Sequence, residues 1–326
     1  MTRSGYAQLV GRSPVMLALQ AEIHRVAQSE AKILITGESG VGKELVAMSI
    51  HAQSPRASLP FVTVNCAGLP ETLLESELFG HVKGSFTGAY RDKPGMLEKA
   101  DEGSIFLDEI GEMSLRMQGM LLRFLETGEL QKVGADRVGR RIDVRVIAAT
   151  NRALAEMVAQ GLFREDLYYR LSTISVHLPA LRQRTRDVAL LARHFVDLFN
   201  ARFGVRRHLG DDALAVLEAH AWPGNVRELL HVVEAAMVVC EGPVIRADHL
   251  PASVRTGRDA TGAAPAAPRD SPAAARSERT LTLEEVERAH IEAVLRAHSG
   301  HRGLAAKALG ISERNLYRKL REWGQD

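Results

Sequence analysis

The octapeptide GESGVGKE, residues 37–44, limits the possible folds more than any other part of the chain. It follows a short apolar run and precedes a helical pattern, the setting in which a GxxxxGK match carries meaning. Glycines there let successive backbone N–H groups curl around a polyphosphate, and the start of the following helix adds its positive dipole end. Gly37, Glu38, Ser39, Gly40, Val41, Gly42, Lys43 and Glu44 are therefore candidate nucleotide-binding residues, with Lys43 bringing a point charge to the terminal phosphates. Glu44 stands where the general pattern has Ser or Thr to hold magnesium, so the metal needs a ligand from elsewhere. SIFLDE supplies one, a buried run that delivers Asp108 and Glu109 at its carboxyl end. Asp108 is expected to hold Mg2+, and Glu109 to polarise the attacking water.

From Ile33 to about Ala149, short apolar runs alternate with longer helical patterns, as in a mostly parallel sheet covered by helices. Strands are expected at 33–36, 61–64, 104–107, 144–148 and 174–177. The first four end at Gly37, Asn65, Asp108 and Thr150, and ligands gather at the carboxyl ends of such strands. Asn65 is expected near Glu109, and Thr150 with Asn151 as a sensor of the terminal phosphate; a polar strand cap or turn residue is the other reading of each. After Pro179 the pattern turns helical, with Val188, Leu191, Phe195 and Leu198 and then Ala213, Leu214 and Leu217 at helical spacing, a separate lid. Residues 251–281 are rich in Pro, Ala and charge and almost without large apolar side chains, which reads as a flexible linker. Thr282 with Glu285 then forms a capping box that opens a last set of short helices.

Composition removes other classes. The 326 residues are 45% hydrophobic and 25% charged with a net charge of +2, an ordinary soluble chain long enough for two or three domains. Cys66 and Cys240 are far apart and unaccompanied by clustered histidines, so a disulfide framework and a zinc site are not expected and a reducing cytoplasm fits. No apolar run approaches the roughly 20 residues that span a bilayer, and no secretory signal opens the chain.

GESGVGKE, FVTVNCAGLPETLLESELFGHVKGSFTGA, EGSIFLDEIGEM, VRVIAATN, FREDLYYRL and WPGNVREL occur in one order that resembles the central AAA+ domain of sigma-54-dependent enhancer-binding transcription activators of the NtrC type. The implied fold class is α/β, an AAA+ P-loop ATPase core with an α-helical lid, followed by a small all-α helix-turn-helix domain. The implied divisions are an extension at 1–8, a nucleotide-binding subdomain at 9–178, a lid at 179–250, the linker at 251–281 and a DNA-binding domain at 282–326. The resemblance also implies ATP as cofactor and a homo-oligomer, from dimer to hexameric ring, with ATP between neighbours. Glu44 is usual in this family. Arg164 and Arg170 would reach into the neighbour's site as arginine fingers, a task suited to a planar guanidinium. Surface ion pairs with Glu165 and Asp166 are the other reading. Arg227 would sense the nucleotide from the first turn of a helix that Asn225 caps with Glu228, and Asn65 would act as the switch to the surface loops. His231 departs from the family's usual Asn. Only residues 1–8 precede the match, so regulation is expected from a partner in trans or from a longer form of the chain.

Residues 302–320, RGLAAKALGISERNLYRKL, read as two short helices joined at Gly310, with Ala306 allowing a close crossing and Ile311 and Leu316 filling the space between. Ser312 is a natural N-cap for a second helix that presents Arg314, Asn315, Arg318, Lys319 and Arg321, with Tyr317 either on DNA or packed inside. With Arg302, these are the candidate DNA contacts. This end resembles the Fis-type domain of the same family, whose preceding helix would dimerise on double-stranded enhancer DNA. GSFTGA, that is Gly84, Ser85, Phe86, Thr87, Gly88 and Ala89, would be the family's contact with sigma-54 and its RNA polymerase, with Ser85 where Ala is usual. The expected function is ATP-driven remodelling of the sigma-54 closed complex. The alternatives are a DNA-binding repressor or architectural regulator that does not engage sigma-54, and an AAA+ remodeller of another protein.

Overall fold

A computed structural model describes residues 9–86, 89–135 and 139–255, with Ile291, 301–303 and Leu316 beyond them. In chain order the first elements are α1 (Pro14–Ala27), β1 (Ile33–Thr36), α2 (Lys43–Ala52), β2 (Phe61–Asn65), α3 (Glu71–Phe79), β3 (Gly80–His81), β4 (Lys93–Pro94), α4 (Met96–Lys99) and β5 (Ser104–Asp108). Then come α5 (Leu115–Thr127), β6 (Arg145–Thr150), α6 (Leu154–Ala159), α7 (Glu165–Leu171) and β7 (Ile174–His177). The lid follows as α8 (Arg186–Phe203), β8 (His208–Leu209), α9 (Asp211–Ala219), α10 (Asn225–Val239), β9 (Val244–Ile245) and α11 (Ala252–Arg255), the last lying where a linker was expected and joining the lid core because Val254 is apolar and buried there.

Five of these strands form one sheet in the order β2-β5-β6-β1-β7, every pair parallel. The central strand β6 is buried at all six positions, as a strand covered on both faces must be. Helices cover each face with their apolar sides. Met117, Leu121, Phe124 and Leu125 of α5 join Ile105 and Leu107 on one face, while Ile23 of α1 and Val46 and Ile50 of α2 join Ile33, Ile35 and Phe106 on the other. The ends of α5 follow local rules. The Ser114 hydroxyl accepts from Met117 N at 3.3 Å, and Gly128 closes the last turn in the left-handed conformation, its N–H donating to Phe124 O at 2.8 Å.

The lid has its own core, in which Phe199, Leu217, Val233 and Met237 surround a fully buried Trp222 whose indole N–H donates to Leu217 O at 2.9 Å. Beyond the lid, Ile291 and Leu316 are helical and buried, as an apolar filler at Leu316 requires. The expected DNA-contact residues Ser312, Arg314, Asn315, Tyr317, Arg318, Lys319 and Arg321 lie outside the described residues, as do Thr87 and Gly88 of the loop. Arg302 is described and half-buried.

Candidate functional site

The four strand ends singled out in the sequence lie at one edge of the sheet. In register, Thr36 of β1 pairs with Thr150 of β6, and Asn65 of β2 with Asp108 of β5. The P-loop leaves β1 and runs into α2, whose start is unobstructed by any side-chain cap. Gly40 sits at φ +77°, and a Cβ there would lie 2.4 Å from Gly224 O, so only glycine lets the loop approach the lid this closely. The Lys43 ammonium lies across the loop, donating to Gly37 O at 3.0 Å and Glu38 O at 3.3 Å, and stands 3.8 Å from Glu109 Oε1. Burial lowers its pKa from the usual lysine value, against the pull of Glu109 and Asp108. A cavity of about 300 Å³ opens beside it, lined by Ser39, Gly42, Asp108, Glu109 and Arg227 with Phe195 and Leu230 of the lid. Cations and backbone N–H groups on one wall and apolar lid side chains on the other suit a charged phosphate chain with a flat base.

Asp108 and Glu109 differ in setting. The Asp108 carboxylate accepts from Glu109 N at 3.0 Å, and burial raises its pKa against the opposing charge of Lys43. Glu109 occupies the left-handed region at φ 53°, a conformation that costs a non-glycine residue about 1–3 kcal/mol and persists only where surroundings impose it. Its Oε2 accepts from Asn151 N at 3.4 Å, which joins the β5 and β6 ends through backbone rather than through the Asn151 side chain. Among the described residues no cluster of three or more His, Cys, Asp or Glu could hold a metal by itself. That agrees with magnesium, which takes one or two carboxylates and finds its other ligands on phosphate and water. A single hard carboxylate beside a lysine at a P-loop fits that donor set.

The Asn65 side chain bonds into its own bend, its Oδ1 accepting from Ala67 N at 2.9 Å as in the turn-residue reading, while the strand register sets it opposite Asp108, next to Glu109. Asn225 departs from expectation. α10 starts at Asn225 with Gly224 as N-cap, and Glu228 accepts from Gly224 N at 2.8 Å, so the glutamate caps while the asparagine does not. Fully buried, Asn225 instead ties three segments: its Oδ1 accepts from Leu181 N at 2.8 Å, and its Nδ2 donates to Ser39 O at 3.0 Å and Glu38 Oε2 at 3.1 Å. Arg182 donates to both Glu38 oxygens, and Arg227 donates to Ser39 Oγ at 3.1 Å. The hydrogen bonds from Arg182 and Asn225 hold the Glu38 pKa down to about 2. Arg184, buried, donates to Val41 O at 3.0 Å. Arg182, Arg184 and Leu230 were not singled out in the sequence, and Phe195 only as an apolar position of the lid; they lie far from the P-loop along the chain and carry no local motif.

Arg164 and Arg170 are not brought to this cradle. Arg164 pairs with Asp166 at 2.8 Å, and Arg170 donates to Leu125 O at 3.2 Å. Arg170 lines a cavity with Lys32, Val144 and Arg145, residues at the starts of β1 and β6 and so at the opposite end of the sheet.

The glycine-rich loop leaves between β3 and β4. At its base the chain is closed tightly, since a Cβ on Gly80 would meet Lys93 O at 2.6 Å. Val82 N donates to Val133 O at 3.1 Å, tying the loop to the neighbouring segment. Phe86 rests on the His81 ring, centroids 5.0 Å apart, and is 38% exposed. Ala89, expected to meet a partner, is buried in this conformation, whereas Tyr90 is 87% exposed. The Ser85 hydroxyl is buried without a hydrogen-bond partner among the described residues, pressed close to Gly134.

Comparison with known proteins extends this geometry. The sigma-54 interaction domain profile matches residues 9–177, an AAA+ ATPase lid domain profile 182–267, and a bacterial regulatory protein, Fis family, profile 282–323. Regulatory protein AtoC of Escherichia coli (strain K12) is 45% identical over 325 residues, 98% of this chain and 68% of the relative. Nitrogen fixation protein AnfA of Azotobacter vinelandii is 46% identical over 323 residues, 98% of this chain and 58% of the relative. The crystal structure of NtrX from Brucella abortus in complex with ADP superposes with a TM-score of 0.70 at 37% identity, covering 98% of this chain and 69% of that one. The same protein in complex with ATP gives 0.69 at 37%, covering 97% and 69%. The chain thus spans about three fifths to two thirds of these relatives' length. With half its residues matched by one profile and the other two following in order, the chain belongs to the sigma-54 interaction domain family of AAA+ ATPases and carries that family's lid and a Fis-type helix-turn-helix.

Proposed function

We propose that this chain is an ATP-hydrolysing transcription activator that assembles into a ring, binds enhancer DNA and remodels the closed complex of sigma-54 RNA polymerase in the cytoplasm. One observation carries the proposal: the glycine-rich loop leaves the fold between β2 and β5, the two strands that end in Asn65 and in Asp108-Glu109. Movement at Asn65 then passes along the chain through α3 and β3 into the loop, and movement at Asp108-Glu109 reaches it back through β5 and α4.

In this reading the P-loop N–H groups from Gly37 to Gly42 and the Lys43 ammonium orient the phosphates, and Glu109 takes a proton from the attacking water while Asp108 anchors the metal. Magnesium, when bound with the nucleotide, neutralises phosphate charge. Asn151 and Arg227 register the terminal phosphate from the sheet and the lid, and Asn65 relays the change. Arg170, with Arg164, serves the neighbouring subunit, because its place at the far end of the sheet separates it from its own P-loop by the length of β1. Residues 282–326 hold the double-stranded DNA. The test is open-complex formation by sigma-54 polymerase at promoters carrying the chain's binding site. ATP hydrolysis with promoter opening supports the reading. Hydrolysis and DNA binding without opening at any such promoter favour a repressor or architectural regulator.

A further inference from the structure

We infer that Lys32 is a second cationic group delivered to the ATP of the neighbouring subunit, acting beside Arg170 on the terminal phosphates. The inference rests on the trans role proposed above for Arg170 and names a residue that the arginine-finger pattern does not contain.

Backbone pairing puts the two cations together. Ile174 N donates to Lys32 O at 3.2 Å where β7 joins the edge of β1, and Arg170 lies in the last turn of α7, four residues before β7 begins. Both line one open cavity of about 760 Å³ at the starts of the strands. The acids there are mostly committed. Arg56 bridges Glu30 at 2.8 Å and Asp143 at 2.9 Å, and Arg145 is buried with its guanidinium on Val26 O and Ala27 O. Glu126 is exposed on the cavity wall. Lys32 makes no ion pair or side-chain hydrogen bond among the described residues, and Arg170 spends one N–H on a carbonyl and meets no carboxylate. Burial, and after it the Arg170 charge, lowers the Lys32 pKa. Partly buried Lys32 and exposed Arg170 face one cavity in which the cations Lys32, Arg56, Arg141, Arg145 and Arg170 outnumber the acids Glu30, Glu126 and Asp143, and their mutual repulsion is relieved by an incoming polyanion. ATP held by an adjoining subunit is the polyanion that the Arg170 role already requires at this face.

The test uses the full chain at concentrations where sedimentation shows assembled rings. Lys32→Met is expected to lower kcat for ATP roughly 10- to 100-fold with KM nearly unchanged, and Lys32→Arg to restore most of it. Mixing Lys32→Met subunits with Glu109→Gln subunits is expected to recover activity above the average of the two alone, since an intact site then receives Lys32 from a hydrolysis-dead neighbour. Unchanged kcat in Lys32→Met while Arg170→Ala is inactive overturns the inference and leaves the proposed function standing. Unchanged kcat in Arg170→Ala as well overturns the trans reading itself. Lost activity that mixing fails to recover, or a loss that tracks only failure to assemble, also overturns the inference.

Discussion

The nucleotide cradle and the glycine-rich loop are held in opposite ways. In the cradle, polar groups from distant parts of the chain are joined by several hydrogen bonds: Asn225 meets Leu181, Glu38 and Ser39, Arg182 grips Glu38, and Arg184 holds Val41 O, with only its Nε left without a partner among the described residues. On the loop, the Ser85 hydroxyl is buried without a partner among the described residues, Phe86 is half-covered by His81, and Tyr90 stands in solvent. A matched polar network rigidifies, whereas an orphaned group adds to the cost of the state that buries it. The contrast suits a machine whose phosphate site stays in place while its output loop is released.

The comparison breaks most completely at Glu109, the carboxylate proposed to activate water. Glu109→Gln is expected to lower kcat by about 10³-fold or more while retaining ATP binding, measured by steady-state hydrolysis and by nucleotide titration; weakened binding instead would make Glu109 part of the cradle's frame. Asn225→Ala attacks the frame itself. It removes one buried and two part-buried hydrogen bonds and leaves a left-handed residue at φ 53° without the side chain that tolerates it, so a loss of about 2–4 kcal/mol in urea unfolding is expected. A loss under about 0.5 kcal/mol would show that the lid and P-loop are not braced there.

On the loop side the sign reverses. Ser85→Ala keeps the Cβ against Gly134 and deletes only the orphaned hydroxyl, so it is expected to stabilise the stowed loop by about 1 kcal/mol and slow amide exchange at Gly84 and Ala89 roughly fivefold. Gly134→Ala, placing a Cβ 2.5 Å from that of Ser85 at φ +76°, is expected to speed it. Equal rates in both variants would remove Ser85 from the account. The smallest effect is at Glu38→Gln, where the pair with Arg182 is largely exposed and screened by solvent. The folded pKa of about 2 lies below the usual carboxylate value of 4.5, so this contribution is complete above that usual value and fades as pH falls toward 2. Stability differences between Glu38→Gln and the parent should therefore be flat from pH 6 to 8, and a slope there would point to another group.

The sheet was legible because its signals are local: all five expected runs are strands, with β2 and β5 each one residue longer, to Asn65 and Asp108, and β6 running Arg145–Thr150 where 144–148 was expected. The P-loop, Asp108 and Glu109 were legible for the same reason. Asn225 was misread because an N-x-x-E spacing looks like a cap whichever residue supplies it, and only the fold shows that Glu228 caps while Asn225 reaches the P-loop. Arg182 and Arg184 carry no pattern, their partners lying more than a hundred residues upstream. Lys32 was invisible for a related reason: its meaning comes from β7 pairing with β1, which sets it beside the end of α7. Asn65 bonding its own turn is the turn-residue reading that the sequence left open beside the functional one.

The measurement that bears most directly on the central claim separates hydrolysis from output. Thr87→Ala and Phe86→Ala should retain most ATPase activity per assembled ring while abolishing open-complex formation with sigma-54 polymerase. Equal loss of both activities, or promoter opening that survives both substitutions, would contradict the account.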